Sequence, residues 1–313
     1  MKKIMIVGVG GVGGVLAANL IRKYGADVSL IARGARKESL RQHGLTLHSD
    51  LYGEFTVQPA CVEEDPAVCG EQDLILICVK NGSLAGVCRQ ILPAVGSHTA
   101  VMPVMNGVSA GQEAAECLGK GLMIDSVIYT VSSAGSDYSI TQKGNYTYLN
   151  IGSHTGSAEE QAAANEIAAL LNAAGIDCKV SENVQAAVWK KYVLNCAFNV
   201  ATARWGYTIG QLAADPVKRA ECRALMQEAA DVAAKLGVVL PGDLVDKHMV
   251  TMMEKTTPNS DSSLSRDFDA GKVGEMEVFS GYVVRKAAEL GVPAPMSSAY
   301  YEGLKARAAS FAK

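Results

Sequence analysis

The residues "KKIMIVGVGGVGGVLAANLIRKYGADVSLIAR", Lys2 to Arg33, constrain the fold more than any other stretch. A short apolar run ends at Gly8 and reads as a buried strand. Gly8 to Gly13 spell G-x-G-x-x-G, good helix formers follow as far as Gly25, and "DVSLIAR" reads as a second strand. That order, strand, glycine turn, helix and strand, is the setting of a dinucleotide site. Gly8 allows the tight turn, Gly10 lets backbone approach a pyrophosphate, and Gly13 lets the helix pack closely on the strand. Gly11 and Val12 lie within the same cradle. There the helix N-terminus presents free N–H groups and the positive end of its dipole to phosphate. Two lysines before an apolar run imitate a secretion signal, but glycines and Asn19 interrupt the run.

Twenty positions after Gly13 stands Arg33, followed by Arg36 and Lys37. A carboxylate there would accept bonds from a ribose 2′-hydroxyl, whereas a guanidinium suits a 2′-phosphate. The cofactor expectation is therefore NADPH rather than NADH. "DLILICVK" and "TAVMPVMNG" read as further strands, placing Lys80 and Asn106 at strand ends, where doubly wound sheets bind ligands. "LMIDSVIYTVSSA" and "YTYLNIG" continue the strand pattern.

From residue 158 the pattern becomes helical. Residues 158–174 are alanine-rich and stop at Gly175, with a short strand, "IDCKV", after it. Asp215, Pro216 and Gly237 have the chemistry of N-cap, first helical residue and C-terminal stop. Ser262 to Leu290 reads as one last long helical segment. The expectation is an α/β Rossmann-type doubly wound domain, residues 1–165, followed by an all-α domain, residues 166–313. The active site is expected in the cleft between them.

Within the second half, "VWKKYVLNCAFNVATA" is apolar except for a stripe. Lys191, Asn195 and Asn199 recur every four residues, each about 40° from the last around a helix. Apolar residues wall the stripe on both sides, so it reads as polar groups facing a cleft rather than water. Lys190 points about 100° away.

Composition narrows the function classes. A net charge of -3 gives no reason to expect nucleic acid or an anionic membrane. No run is apolar and long enough for a span. Eight scattered cysteines without a CxxC pair read as reduced thiols of a cytoplasmic protein, and five histidines show no metal spacing.

On these residues the chain resembles the ketopantoate reductase (2-dehydropantoate 2-reductase) family. The pieces that carry the resemblance are GVGGVG at 8–13, Lys80, Asn106-Gly107, "WKKYVLNCAFNVATA" at 189–203, "SSLSRD" at 262–267 and "GEMEVFSG" at 274–281. The resemblance implies NADPH-dependent reduction of a small 2-oxo acid, ketopantoate, for pantothenate and coenzyme A synthesis. It implies Lys191 as the catalytic lysine and Glu275 as the family's acidic residue, orienting the lysine or a substrate hydroxyl. Asn106, Asn195, Asn199 and Ser263 would contact substrate, with Lys80 near cofactor and substrate. The molecule would be a monomer or homodimer. Val200 and Leu264 depart from the family pattern, as do Ser260 and Ile209, which stand where asparagines are usual. The last two leave open a different 2-oxo acid. A non-catalytic NADPH-binding sensor is a rival reading, and an opine or 3-hydroxy acid dehydrogenase a more distant one.

Overall fold

A computed structural model describes residues 1–311, which divide by their internal contacts into two compact units, Met1–Val184 and the residues from Gln185 onward.

The first unit is built on ten strands. They are β1 (Ile4–Val7), β2 (Val28–Ile31), β3 (Leu45–Ser49), β4 (Gly53–Val57), β5 (Cys61–Glu63), β6 (Leu74–Ile77), β7 (Ala100–Pro103), β8 (Leu122–Ala134), β9 (Ile140–Ser153) and β10 (Asp177–Val180). Its helices are α1 (Gly11–Tyr24), α2 (Gly34–His43), α3 (Leu84–Ile91), α4 (Ala110–Leu118) and α5 (Ala158–Ala173). The sheet runs β4-β3-β9-β8-β7-β6-β1-β2-β5, with β10 beside β9. From β5 to β8 every neighbour is parallel. β8 and β9 form a long antiparallel hairpin, with a register shift between Tyr129 and Val131.

Alternation along the central strands explains the layers, because successive side chains face opposite sides of a sheet. Ile4, Ile6, Leu74, Leu76 and Met102 face one core, shared with Leu16 and Leu20 of α1 and Ile167 and Leu171 of α5. Met5, Val7, Ile75, Ile77 and Val101 face the other, closed by Leu84, Val87 and Ile91 of α3 and Ala114 and Leu118 of α4. Both faces are covered, as a parallel sheet requires.

The expected domain boundary at 165/166 falls inside α5. That helix packs on β8 and β9, and β10 pairs with β9, so the contacts divide later in the chain, after Val184. The hairpin β3–β4 was not anticipated. Its strands hold His48, Glu54 and Thr56 in alternation with Leu45, Leu47 and Phe55, and it lies at the sheet's edge.

The second unit is helical: α6 (Val184–Trp205), α7 (Ile209–Ala214), α8 (Pro216–Lys235), α9 (Leu244–Val250), α10 (Ser263–Asp269), α11 (Tyr282–Leu290) and α12 (Pro295–Ala308). The α8 helix lies against α7, α9, α11 and α12. Its start follows the capping chemistry, since the Asp215 side chain accepts from the Val217 and Lys218 amides. The expected single segment from Ser262 to Leu290 is instead two helices. Gly271 and Gly274 take positive φ (68° and 56°) and turn the chain, and a π turn, Glu277–Gly281, leads into α11. Among the described residues no helix is long and apolar enough to cross a membrane.

Candidate active site

The glycine loop of the first unit is shaped by steric need at every turn. Gly8 follows β1 with φ 91°, and a Cβ there would lie 2.7 Å from the Cys78 carbonyl oxygen. A Cβ on Gly13 would lie 1.9 Å from the Gly8 carbonyl oxygen. Gly11 lies under β8, where the Ser132 backbone would be 2.8 Å from a Cβ, and Gly14 lies against Ile140. Gly10 differs, because a Cβ there would meet nothing within 4 Å. It is the N-cap of α1, so open space lies beside the N-terminus of that helix, where the first N–H groups have no partner within the helix. Four glycines are thus consumed by packing and one opens a cradle that suits a pyrophosphate. Half-buried Val12 sits in the first turn of the same helix.

β1 lies between β2 and β6, and the order of strands reverses there. Ligand crevices form at the carboxyl ends of strands at such a switch point. Gly8 follows β1, Arg33 follows β2, Lys80 follows β6 and Asn106 follows β7. The three cations after β2 have different surroundings. Arg33 is exposed at the N-cap of α2. Arg36 donates to the Tyr138 carbonyl and lies over the Tyr138 ring, and Lys37 pairs with Glu63 at 3.5 Å. Lys80 is exposed where a short turn begins. Asn106 is half-buried, and its carbonyl accepts from the Asn81 side chain at 2.9 Å. Asn81 escaped the sequence reading, although an asparagine directly after a strand-end lysine is a turn signal.

In the second unit α6 carries the Lys191, Asn195 and Asn199 stripe. Lys191 is half-buried. Burial lowers its ammonium to about 8, against a smaller upward pull from the Glu275 carboxylate. Glu275 is itself buried, at 7% exposure, in the turn after α10. The chain therefore places the Glu275 carboxylate within electrostatic reach of Lys191. Asn195 is half-buried, and among the described residues no group bonds to its amide. Asn199 is buried, and its side-chain oxygen accepts from the Ser263 hydroxyl at 3.3 Å. Ser262, not Ser263, is the N-cap of α10, accepting from the Ser265 amide, while its own hydroxyl meets Thr202 at 2.7 Å. Ser263 is the first helical residue, beside Asn199. Lys190 is exposed, and only its carbonyl is engaged, by His248 Nε2 at 2.7 Å. A carbonyl can only accept, so that nitrogen carries the proton. The two departures from the family pattern stand together: the Ile209 amide donates to the Ser260 carbonyl at 3.0 Å, and Ile209 is buried.

A glycine cradle at the switch point of a parallel sheet, followed by a helical unit with a tuned lysine, defines a nucleotide-dependent oxidoreductase plan. Comparison with known proteins narrows the class. The family description "Ketopantoate reductase PanE/ApbA" matches residues 4–156, and "Ketopantoate reductase PanE/ApbA C terminal" matches residues 183–308. The chain belongs to this family, whose members are oxidoreductases acting on a CH–OH group. It is 25% identical over 303 residues to the uncharacterized oxidoreductase YkpB of Bacillus subtilis, covering 97% of this chain and 98% of that protein. It is 29% identical over 259 residues to the 2-dehydropantoate 2-reductase of Mesorhizobium japonicum, covering 76% and 78%. The crystal structure of 2-dehydropantoate 2-reductase from Methylococcus capsulatus superposes with a TM-score of 0.88 at 28% identity, covering 99% and 98%.

Proposed function

We propose that the protein reduces 2-dehydropantoate to pantoate with NADPH, and that Lys191 donates the proton. The observation that carries this reading is the placement of Lys191, a half-buried ammonium that burial lowers to about 8, on a stripe with two amides and within electrostatic reach of the buried Glu275 carboxylate. Reduction of a ketone needs a hydride at carbon and a proton at oxygen. NADPH supplies the hydride when bound. Gly8, Gly10, Gly11, Val12 and Gly13 hold its pyrophosphate, and Arg33 holds the 2′-phosphate. Lys80 and Asn106, at strand ends, serve polar groups of cofactor and substrate.

Lys191 donates a hydrogen bond to the substrate carbonyl, stabilises the developing alkoxide and gives up its proton. A pKa near the working pH suits both duties. Glu275 keeps the ammonium charged against the cost of burial. Asn195 has an unengaged amide to offer substrate, while Asn199 and Ser263 already bond each other and present a joined edge.

The test is NADPH oxidation followed by absorbance with ketopantoate, with NADH and other 2-oxo acids alongside. Efficient turnover of ketopantoate with NADPH is the expected result. NADPH binding without turnover of any acid in the panel would sink the reading in favour of a sensor. A second reading, reduction of a different 2-oxo acid, draws on Ile209 and Ser260. An apolar side chain stands at one of two adjoining positions where the family resemblance leads one to expect asparagines. Preferential turnover of another acid in the same panel would favour it.

A further inference from the structure

We infer that Tyr192 is a positioning residue, whose hydroxyl fixes the turn bearing Glu275 against the helix bearing Lys191. The inference rests on the proposed role of Lys191. Tyr192 follows Lys191 in α6, so its side chain leaves the helix about 100° away from the stripe. It anchors the helix without occupying the stripe. Its ring is 2% exposed. The ring is met edge-on by Trp189 at 5.3 Å and Tyr282 at 6.0 Å between centroids. The hydroxyl donates to the Val278 carbonyl at 2.6 Å.

Val278 lies in the π turn Glu277–Gly281, a geometry that is rare and concentrated at functional sites. The Val278 and Phe279 amides in turn donate to the Glu275 carbonyl, at 3.0 and 3.1 Å. A continuous path of bonds thus runs from α6 through the Tyr192 hydroxyl and the π turn to the backbone of Glu275. Two further titratable groups face the Tyr192 hydroxyl: Cys196, four residues on in α6, meets it, and Arg285 of α11 acts on it electrostatically. Glu277 pairs with Arg285 and accepts from Tyr301, and His248 approaches α6 from α9 only at the Lys190 carbonyl. Tyr282 contributes its ring to the aromatic cluster.

Y192F removes the bond and keeps the ring. The experiment follows the titration of Lys191 by carbon NMR at Cε in lysine-labelled full-length protein, assigned with K191A. Wild type, Y192F, E275Q and Y192F/E275Q are compared, and ketopantoate reduction is measured on each. If Tyr192 acts through Glu275, Y192F lowers the Lys191 midpoint by about half a unit or more, since a nearby opposite charge typically raises such a pKa by about 1–3 units. E275Q lowers it at least as far, and the double variant lowers it no further than E275Q alone. Turnover falls while NADPH affinity stays within about twofold. An unmoved midpoint in Y192F, or shifts that add in the double variant, overturns the inference. Absence of turnover in wild type, by contrast, defeats the reading of function and is distinguishable from either result.

Discussion

A side chain on Gly13 has no place to go, because its Cβ would stand 1.9 Å from the carbonyl oxygen of Gly8. Helix α1 is pressed that closely onto the turn after β1. Gly13→Ala should therefore damage the fold itself, by about 1–3 kcal/mol or more, since an overpacked core must shift backbone. Gly10→Ala meets open space in the protein and should leave the melting temperature nearly unchanged. It should weaken NADPH binding by about tenfold or more if, as proposed, the pyrophosphate lies against Gly10. Thermal unfolding and a cofactor titration on the two variants check the contrast. Equal loss of affinity without loss of stability in both would contradict it.

Lys191→Ala should lower turnover by about 10²- to 10⁴-fold, the usual worth of a positioned acid. Cofactor affinity should hold, because Lys191 lies in a different unit from the glycine cradle. Lys190→Ala should matter little, since that side chain is exposed and only its backbone is engaged. Steady-state kinetics on both variants decide the matter, and near-wild-type turnover in Lys191→Ala would remove it from the mechanism.

The pH dependence follows from the same residue. Burial lowers the ammonium from its ordinary value to about 8, and Glu275 opposes the shift. Reduction uses the protonated form, so kcat/KM for reduction should fall as pH rises through about 8. Oxidation of the hydroxy acid uses the neutral amine as base and should rise through the same pH. Glu275→Gln removes the upward influence, so both limbs should move to lower pH. A reduction profile flat to pH 10, with hydride transfer shown to be rate-limiting, would be inconsistent with an acid of this pKa.

Much of this arrangement is legible in the sequence because it rests on local rules. The glycine spacing, the Asp215-Pro216 helix start and the four-residue stripe on α6 each need only neighbouring residues to be read. The rest depends on distant contacts. A boundary at residue 165 follows from a pattern that turns helical from residue 158, yet Ile167 and Leu171 are core residues of the sheet unit. Ser262 to Leu290 looked continuous because its apolar spacing runs on across Gly271 and Gly274, two glycines whose positive φ breaks it. That break lets Glu275 leave the helical path and come within electrostatic reach of Lys191. Which of Arg33, Arg36 and Lys37 stays exposed was likewise hidden, since Tyr138 comes from the turn between β8 and β9 and Glu63 from β5, both outside the local segment.

Arg33→Ala should lower NADPH affinity by about 10- to 100-fold, the scale of a lost charge-assisted hydrogen bond. NADH affinity should change little, because it lacks the 2′-phosphate. Arg33 caps α2 with backbone only and is exposed, so stability should be unaffected. Parallel titrations with the two nucleotides test this. A loss shared equally by NADPH and NADH would assign Arg33 to the general surface of the site instead.

Asn195 and Asn199 look alike in sequence and differ in the structure, which makes them the sharpest test of the stripe. Asn199 is 4% exposed and accepts the Ser263 hydroxyl, so it ties α6 to α10 as well as facing the stripe. Asn199→Ala leaves that hydroxyl without its partner, next to the buried Thr202–Ser262 contact, and should cost about 1–3 kcal/mol of stability along with activity. The Asn195 side-chain amide bonds to no described protein group, so Asn195→Ala should leave stability within about 0.5 kcal/mol. If its amide serves substrate, the same change should raise KM for ketopantoate by about tenfold, the value of one hydrogen bond to a charged group. Denaturant unfolding and KM measured on both variants separate the two roles. A large stability loss in Asn195→Ala, or an unchanged KM, would return that residue to the ordinary packing of the helix.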